Sequence, residues 1–271
     1  MRIKRAPFLF LLLPIWLSAL EVQPWFGDVY EAHILGSYSY SRFRKVQGAA
    51  PQLTSPFNVN LFYGDFEYTF SQRWSVDTDI VFADTTQMPF GLRSWAVQLR
   101  HLFLDDISSD PISLALGGSA RINTKKSLRD VSCPAHANAD FELNLSIGHE
   151  FERDEEWRFR LWGFGALGMA NRGSPWLRGI LGGEGNFCDL HKWGIFFIAS
   201  HSYGRKRTLD PNHFFGYAKI RQKSLDLAFR YGYGMGRFGT LRFEYIRRLT
   251  AKLYPQQVNT VTVSYLLPFS F

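Results

Sequence analysis

The strongest constraint on this chain is a strict alternation that runs to its last residue. Counting back in twos from Phe271 gives Phe269, Leu267, Tyr265, Val263 and Val261, all apolar. Between them stand Ser270, Pro268, Leu266, Ser264, Thr262 and Thr260, mostly small or polar. A period of two is the mark of a β-strand with one greasy face and one wet face. The pattern recurs at 224–235, where Leu225, Leu227, Phe229, Tyr231, Tyr233 and Met235 share a face. Ser224, Asp226, Ala228, Arg230, Gly232 and Gly234 share the other. It recurs again at 138–151, with His149 interrupting the apolar face near one end.

Read this way, the chain is a string of about twelve strands joined by turns. They fall at 29–41, 57–70, 73–84, 92–104, 111–123, 138–151, 157–169, 176–187, 192–203, 219–234, 239–250 and 257–271. The strand at 57–70 changes phase near Tyr63–Gly64, which predicts a bulge. The strand at 192–203 is apolar on both faces, so its register is open. The connections alternate in character. Ser71–Gln72, Asp105–Asp110, Glu152–Glu156, Cys188–His191 and Gly236–Phe238 are short. Those at 42–56, 85–91, 124–137, 170–175, 204–218 and 251–256 are longer or more variable.

The other end of the chain reads as an export signal. Arg2, Lys4 and Arg5 precede an apolar run from Phe8 to Leu20 that is too short to cross a bilayer comfortably. Residues 1–19 are therefore expected to be a signal peptide and 20–271 one sheet-based domain. Losing those three cations lowers the formal net charge from +7 to +4. No other stretch is apolar for long enough to be a transmembrane helix. Aromatic residues make up 17% of the chain, yet its mean hydropathy is below zero. Strands that expose only every second side chain to lipid produce this combination.

The final strand, with Tyr265, Leu267, Phe269 and a terminal Phe271, resembles the C-terminal signal of Gram-negative outer-membrane β-barrels. The resemblance covers only that strand. It implies an all-β, closed antiparallel transmembrane barrel in the outer membrane, inserted by the barrel assembly machinery. In such barrels the short turns are periplasmic and the long loops external. The external loops then carry Arg42, Arg44, Lys45, Lys125, Lys126, Arg129, Arg205, Lys206 and Arg207, facing the phosphates of lipopolysaccharide. The periplasmic turns carry Asp105, Asp106, Asp110, Asp154, Glu155, Glu156 and Asp189. Cations spread over separate loops of an exported chain argue against nucleic-acid binding. Cys133 and Cys188 fall on opposite sides, so each is free or pairs with another protein.

Alternation also assigns the lumen. Inward acids include Asp77, Asp79, Asp140, Glu142, Glu150, Glu184, Asp226 and Glu244; inward bases include Arg100, Arg121, Arg158, Arg160, Arg178, Arg230, Arg242 and Arg248. A tight hairpin over 234–239 sets Arg230 against Glu244 and Asp226 against Arg248. Across the turn at 152–156, Glu150 faces Arg158. Each opposed pair contributes roughly 0.2–1 kcal/mol. Such ladders either brace a filled lumen or line a water-filled passage.

Enzyme templates fit poorly. A barrel lipid hydrolase needs Ser and His together, and Ser200-His201-Ser202 puts them on opposite faces. A barrel protease of the omptin type uses acidic and Asp/His pairs at the external rim. Here Asp77 and Asp79 belong to the opposite end from Asp210 and His213. No cofactor or metal is expected. The reading is a porin-like channel for small hydrophilic solutes with an anion bias. The alternatives are a structural or surface-interaction barrel with a closed lumen and, third, a lipid-modifying enzyme.

Overall fold

The computed structural model describes residues 22–53, 55–153 and 156–270. The signal-peptide segment, Phe271, and the turn residues Asp154 and Glu155 lie outside them. The strands are β1 (Glu31–Phe43), β2 (Lys45–Val46), β3 (Phe57–Ser71), β4 (Trp74–Thr85), β5 (Gly91–Leu104), β6 (Ser113–Asn123) and β7 (Ala139–Arg153). They continue with β8 (Glu156–Ala170), β9 (Trp176–Phe187), β10 (His191–Ser202), β11 (Lys223–Gly234), β12 (Thr240–Lys252), β13 (Pro255–Gln256) and β14 (Asn259–Ser270). All but the short β2 and β13 join one antiparallel barrel of twelve strands. β14 returns to β1 in continuous register from Glu31–Ser270 to Arg42–Asn259. Among the described residues, each of the twelve barrel strands has a neighbour on both sides, the closure that a bilayer requires.

The barrel is inverted relative to a soluble protein. Leu143 is 67% exposed and Leu181 63%, whereas Asp77 is 0% and Arg100 1% exposed. The apolar set of each strand faces outward and the charged set inward, so the sequence period and the architecture agree. β10 resolves its two-faced pattern by sending Trp193, Ile195 and Phe197 outward and burying Phe196 inside.

Three expectations need correction. No bulge occurs at Tyr63–Gly64: β3 stays in unbroken register with β1 and with β4 through that point. Val59, Leu61 and Tyr63 are buried on the same inner face as Asp65 and Glu67. The change of phase is a change in the lumen, apolar towards the long loops and charged towards the short turns. A shift in register does occur in β7–β8, where Phe151 opposes Phe159 and Glu152 opposes Trp157. Arg158 is the extra residue, so Glu150 opposes Arg160 and not Arg158. Finally, β11 begins at Lys223, because residues 219–222 belong to the long loop; there Ser202 N–H donates to the Gln222 carbonyl at 2.9 Å.

Four long loops condense over one end of the barrel. β2 pairs with β13, joining the loop after β1 to the one before β14. Phe43, Val46, Phe57, Val131, Leu209, Phe214, Tyr217 and Tyr254 form a buried apolar cluster between them. The Tyr217 hydroxyl donates to the Val131 carbonyl at 2.5 Å, and Tyr217 N–H donates to the Ala135 carbonyl at 3.0 Å. Gly216 has φ +76, and a side chain there would meet the His136 carbonyl.

The outward face makes a direct prediction. Leu145 is outward, 45% exposed and near the middle of β7. Leu145→Arg is expected to destabilise the bilayer-folded protein by about 2–4 kcal/mol, read from denaturant titration in lipid vesicles.

Candidate lumen site

Alternation brings the acids and bases of all the long strands onto one inner surface, where isolated charges would be costly. The structure pairs them. Arg100 donates to Glu67 at 2.6 Å and lies 3.2 Å from Asp77. Gln98 donates to Asp77 at 3.1 Å, and Asn144 donates to Gln98 at 3.0 Å. Arg121 grips Asp79 with two bonds of 3.0 and 2.6 Å. Glu142 accepts from Arg178 at 2.8 Å and from the Trp176 indole at 3.0 Å. Asn123 donates to Asp140 at 2.7 Å.

On the opposite wall, Arg248 holds Asp226 with bonds of 2.7 and 2.9 Å, and Arg230 donates to Glu244 at 2.8 Å. Both pairs stand in the register expected from the hairpin. Arg230 also approaches Glu184 at 3.7 Å, and Arg160 bonds Glu150. Arg158 and Arg242 are half-buried on their strands. On β14, Tyr265 bonds the Phe238 carbonyl, with Leu267 and Phe269 half-buried beside it.

Several contacts escape a reading by adjacent strands. Arg121 and Asp79 lie on β6 and β4, and Arg178 and Glu142 on β9 and β7; each pair spans an intervening strand. Long guanidinium stems make that reach inside a curved wall, and no hairpin register reveals it. Also missed were the buried pair of Arg93 and Asp130 at 3.8 Å, which ties β5 to the loop cap, and the whole of residues 22–28. Of these, residues 22–26 lie against the inner wall, while Asp28 is exposed. A pair of large aromatics, Trp25 and Phe26, just ahead of the first strand was the available signal.

Beneath the loop cap lies a cavity of about 270 Å³. Tyr63, Glu142, Trp176, Arg178 and Arg248 line it, together with His136 from the cap. His136 stacks on Trp176 with centroids 3.7 Å apart. Burial drives its pKa down to about 3, so the ring is neutral. Burial likewise pushes the Cys133 thiol up to about 11, and Ser127 Oγ lies 2.7 Å from its sulfur. Cys188, in a short turn, is exposed. At the other end, burial raises the Asp106 carboxyl. Hydrogen bonds from Ser113, the Glu150 N–H and Trp25 outweigh it and hold the group below the usual carboxylate range.

The hydrolase and protease templates are not assembled. Ser200 Oγ lies 2.8 Å from Ser224 Oγ, while His201 packs against the Tyr203 ring. Asp210 and His213 form an exposed 2.9 Å pair in a long loop. Asp77 and Asp79 are buried in the half of the barrel nearer the short turns.

No protein-family model matches the chain, and no curated protein matches it in sequence. Among solved structures it is similar to an outer membrane channel from Pseudomonas putida F1, with a TM-score of 0.59 and 10% identity. That match covers 90% of this chain and 97% of the other. The NanC porin aligns with a TM-score of 0.57 and 9% identity over 89% of this chain and 98% of its own. The translocator domain of the autotransporter NalP from Neisseria meningitidis gives 0.51 and 7%, over 90% of each chain. At these identities the likeness establishes the fold, a closed barrel of the outer-membrane type.

Two outcomes follow from the lumen. Arg100→Ala leaves Glu67 and Asp77 without their shared buried cation, and is expected to cost about 3–5 kcal/mol in unfolding titrations. His136, whose folded pKa lies below the ordinary 6.5, stabilises fully above that pH and loses its contribution as pH falls towards 3. Between pH 6 and pH 4, wild type should lose about 1.4 kcal/mol per pH unit relative to His136→Gln. Parallel pH dependences would refute the buried neutral ring.

Proposed function

We propose that the chain is a porin-like channel of the outer membrane that passes small hydrophilic solutes. The long-loop end is the external side and the short turns are periplasmic. One observation carries the reading: a closed barrel whose inner wall is charged yet internally neutralised around a cavity. The pairs Arg178–Glu142 and Arg248–Asp226 border that cavity, as does Arg121, whose partner is Asp79. A wall of compensated dipoles offers hydrogen bonds without a deep electrostatic trap, as conduction requires.

Because these guanidinium groups are compensated, the anion bias is assigned to the external loops. Arg44, Lys45, Lys125, Arg129, Arg205, Lys206 and Arg207 are exposed there, and Arg42 is exposed at the loop end of β1. The same cations suit the phosphates of lipopolysaccharide, and the final strand suits recognition by the barrel assembly machinery.

A second reading, a surface barrel with a closed lumen, is favoured by the loop cap at one end and residues 22–26 inside the other. Planar-bilayer recordings separate the two. The channel reading expects discrete steps and a reversal potential on the anion side in a salt gradient. It also expects Arg205→Glu/Lys206→Glu/Arg207→Glu to move that potential towards cations. Silence from protein shown to be folded by heat-modifiable gel migration favours the surface barrel.

A further inference from the structure

Residues 22–26 precede β1, but they run into the lumen at the short-turn end, and the wall there is shaped to hold them. Gln23 is fixed at both polar ends: its carbonyl accepts from Arg100 at 2.7 Å and its side-chain amide donates to Glu184 at 2.7 Å. The Trp25 indole N–H donates to Asp106, in the turn after β5, at 2.8 Å. The Arg160 guanidinium lies 4.8 Å above the Trp25 ring, and Arg100 lies 4.7 Å above the Phe26 ring. Val22 and Trp25 are buried with Trp162, Phe164 and Phe196. Opposite them the wall carries Gly148, where a Cβ would come within 2.7 Å of Trp25 and 2.8 Å of Pro24. The anchoring residues come from β5, β8, β9 and a short turn, so the segment is held along one contiguous arc of the wall at the opening.

We propose that this vestibule is a binding site for an extended aromatic peptide, and that the chain's own residues 22–27 occupy it as a plug that leaves before solute passes. A backbone carbonyl, a side-chain amide, an indole N–H and two aromatic faces are each matched, which is how a peptide is recognised, and the glycine slot fits the indole. The proposal rests on the channel reading, since a plug matters only where there is a passage.

The test records single channels from the full chain and from a variant lacking residues 22–27, with residues 1–21 retained. The synthetic peptide Val-Gln-Pro-Trp-Phe-Gly is then added to each side in turn. Deletion is expected to raise the open fraction about tenfold or more. The peptide should block from one side only, and the same peptide with alanine for tryptophan should block about tenfold more weakly. Equal currents from wild type and the deletion variant overturn the plug and leave the channel reading standing. Opening without peptide block overturns the binding site. Silence from both folded proteins overturns the plug and the channel together.

If the deletion variant does not fold, Trp25→Ala in the full chain serves, read by maleimide labelling at Pro24→Cys with Cys188→Ser. A labelling rate raised about tenfold by Trp25→Ala supports the plug, and an unchanged rate overturns it.

Discussion

The pairing of β14 with β1 is the constraint on which the rest depends. In a bilayer every backbone N–H and C=O needs a partner within the protein, and an open sheet would leave two edges unsatisfied. Once the seam is closed, alternation has only one consistent arrangement, with apolar side chains towards lipid and the other set inside. Ser39 Oγ lies 2.8 Å from Thr262 Oγ, and Ser41 Oγ 2.7 Å from Thr260 Oγ, so small hydroxyl residues stitch the seam from within.

Closure then dictates the chemistry of the lumen. A barrel of this girth encloses more charge than adjacent-strand pairs neutralise. Arg121 and Arg178 therefore reach across a strand to Asp79 and Glu142. The two ends are treated differently. The long loops build a small apolar core of their own, with Tyr217 and Tyr254 at its centre. The short turns are too brief for that, and residues 22–26 pack against the wall at their end instead. Between the two lies the cavity bordered by Trp176, Arg178 and Arg248.

Much of this was legible in the sequence, because period-two alternation is a local signal. Strand positions, the alternation of short and long connections, and the pairs Arg230–Glu244 and Asp226–Arg248 all follow from pattern plus a tight turn. The failures share one cause, which is information that period-two alternation does not carry. The bulge at Arg158 moved Glu150 onto Arg160, and nothing local announces an extra residue there. The apolar inner face of Val59, Leu61 and Tyr63 imitated a phase slip because the lumen itself is not uniformly polar. The loop cap and the inserted segment are tertiary contacts between stretches far apart in the chain, for which alternation has no code.

The most direct measurement is covalent capture of the seam. Ser39→Cys/Thr262→Cys, made with Cys188→Ser, places two thiols where the native hydroxyl oxygens are 2.8 Å apart. After folding in lipid and mild oxidation, the closed-barrel account predicts near-complete disulfide formation within one chain, seen as a compact species on a denaturing non-reducing gel. Thiols left free at positions 39 and 262 in protein that is otherwise folded, or disulfides formed only between chains, would contradict it.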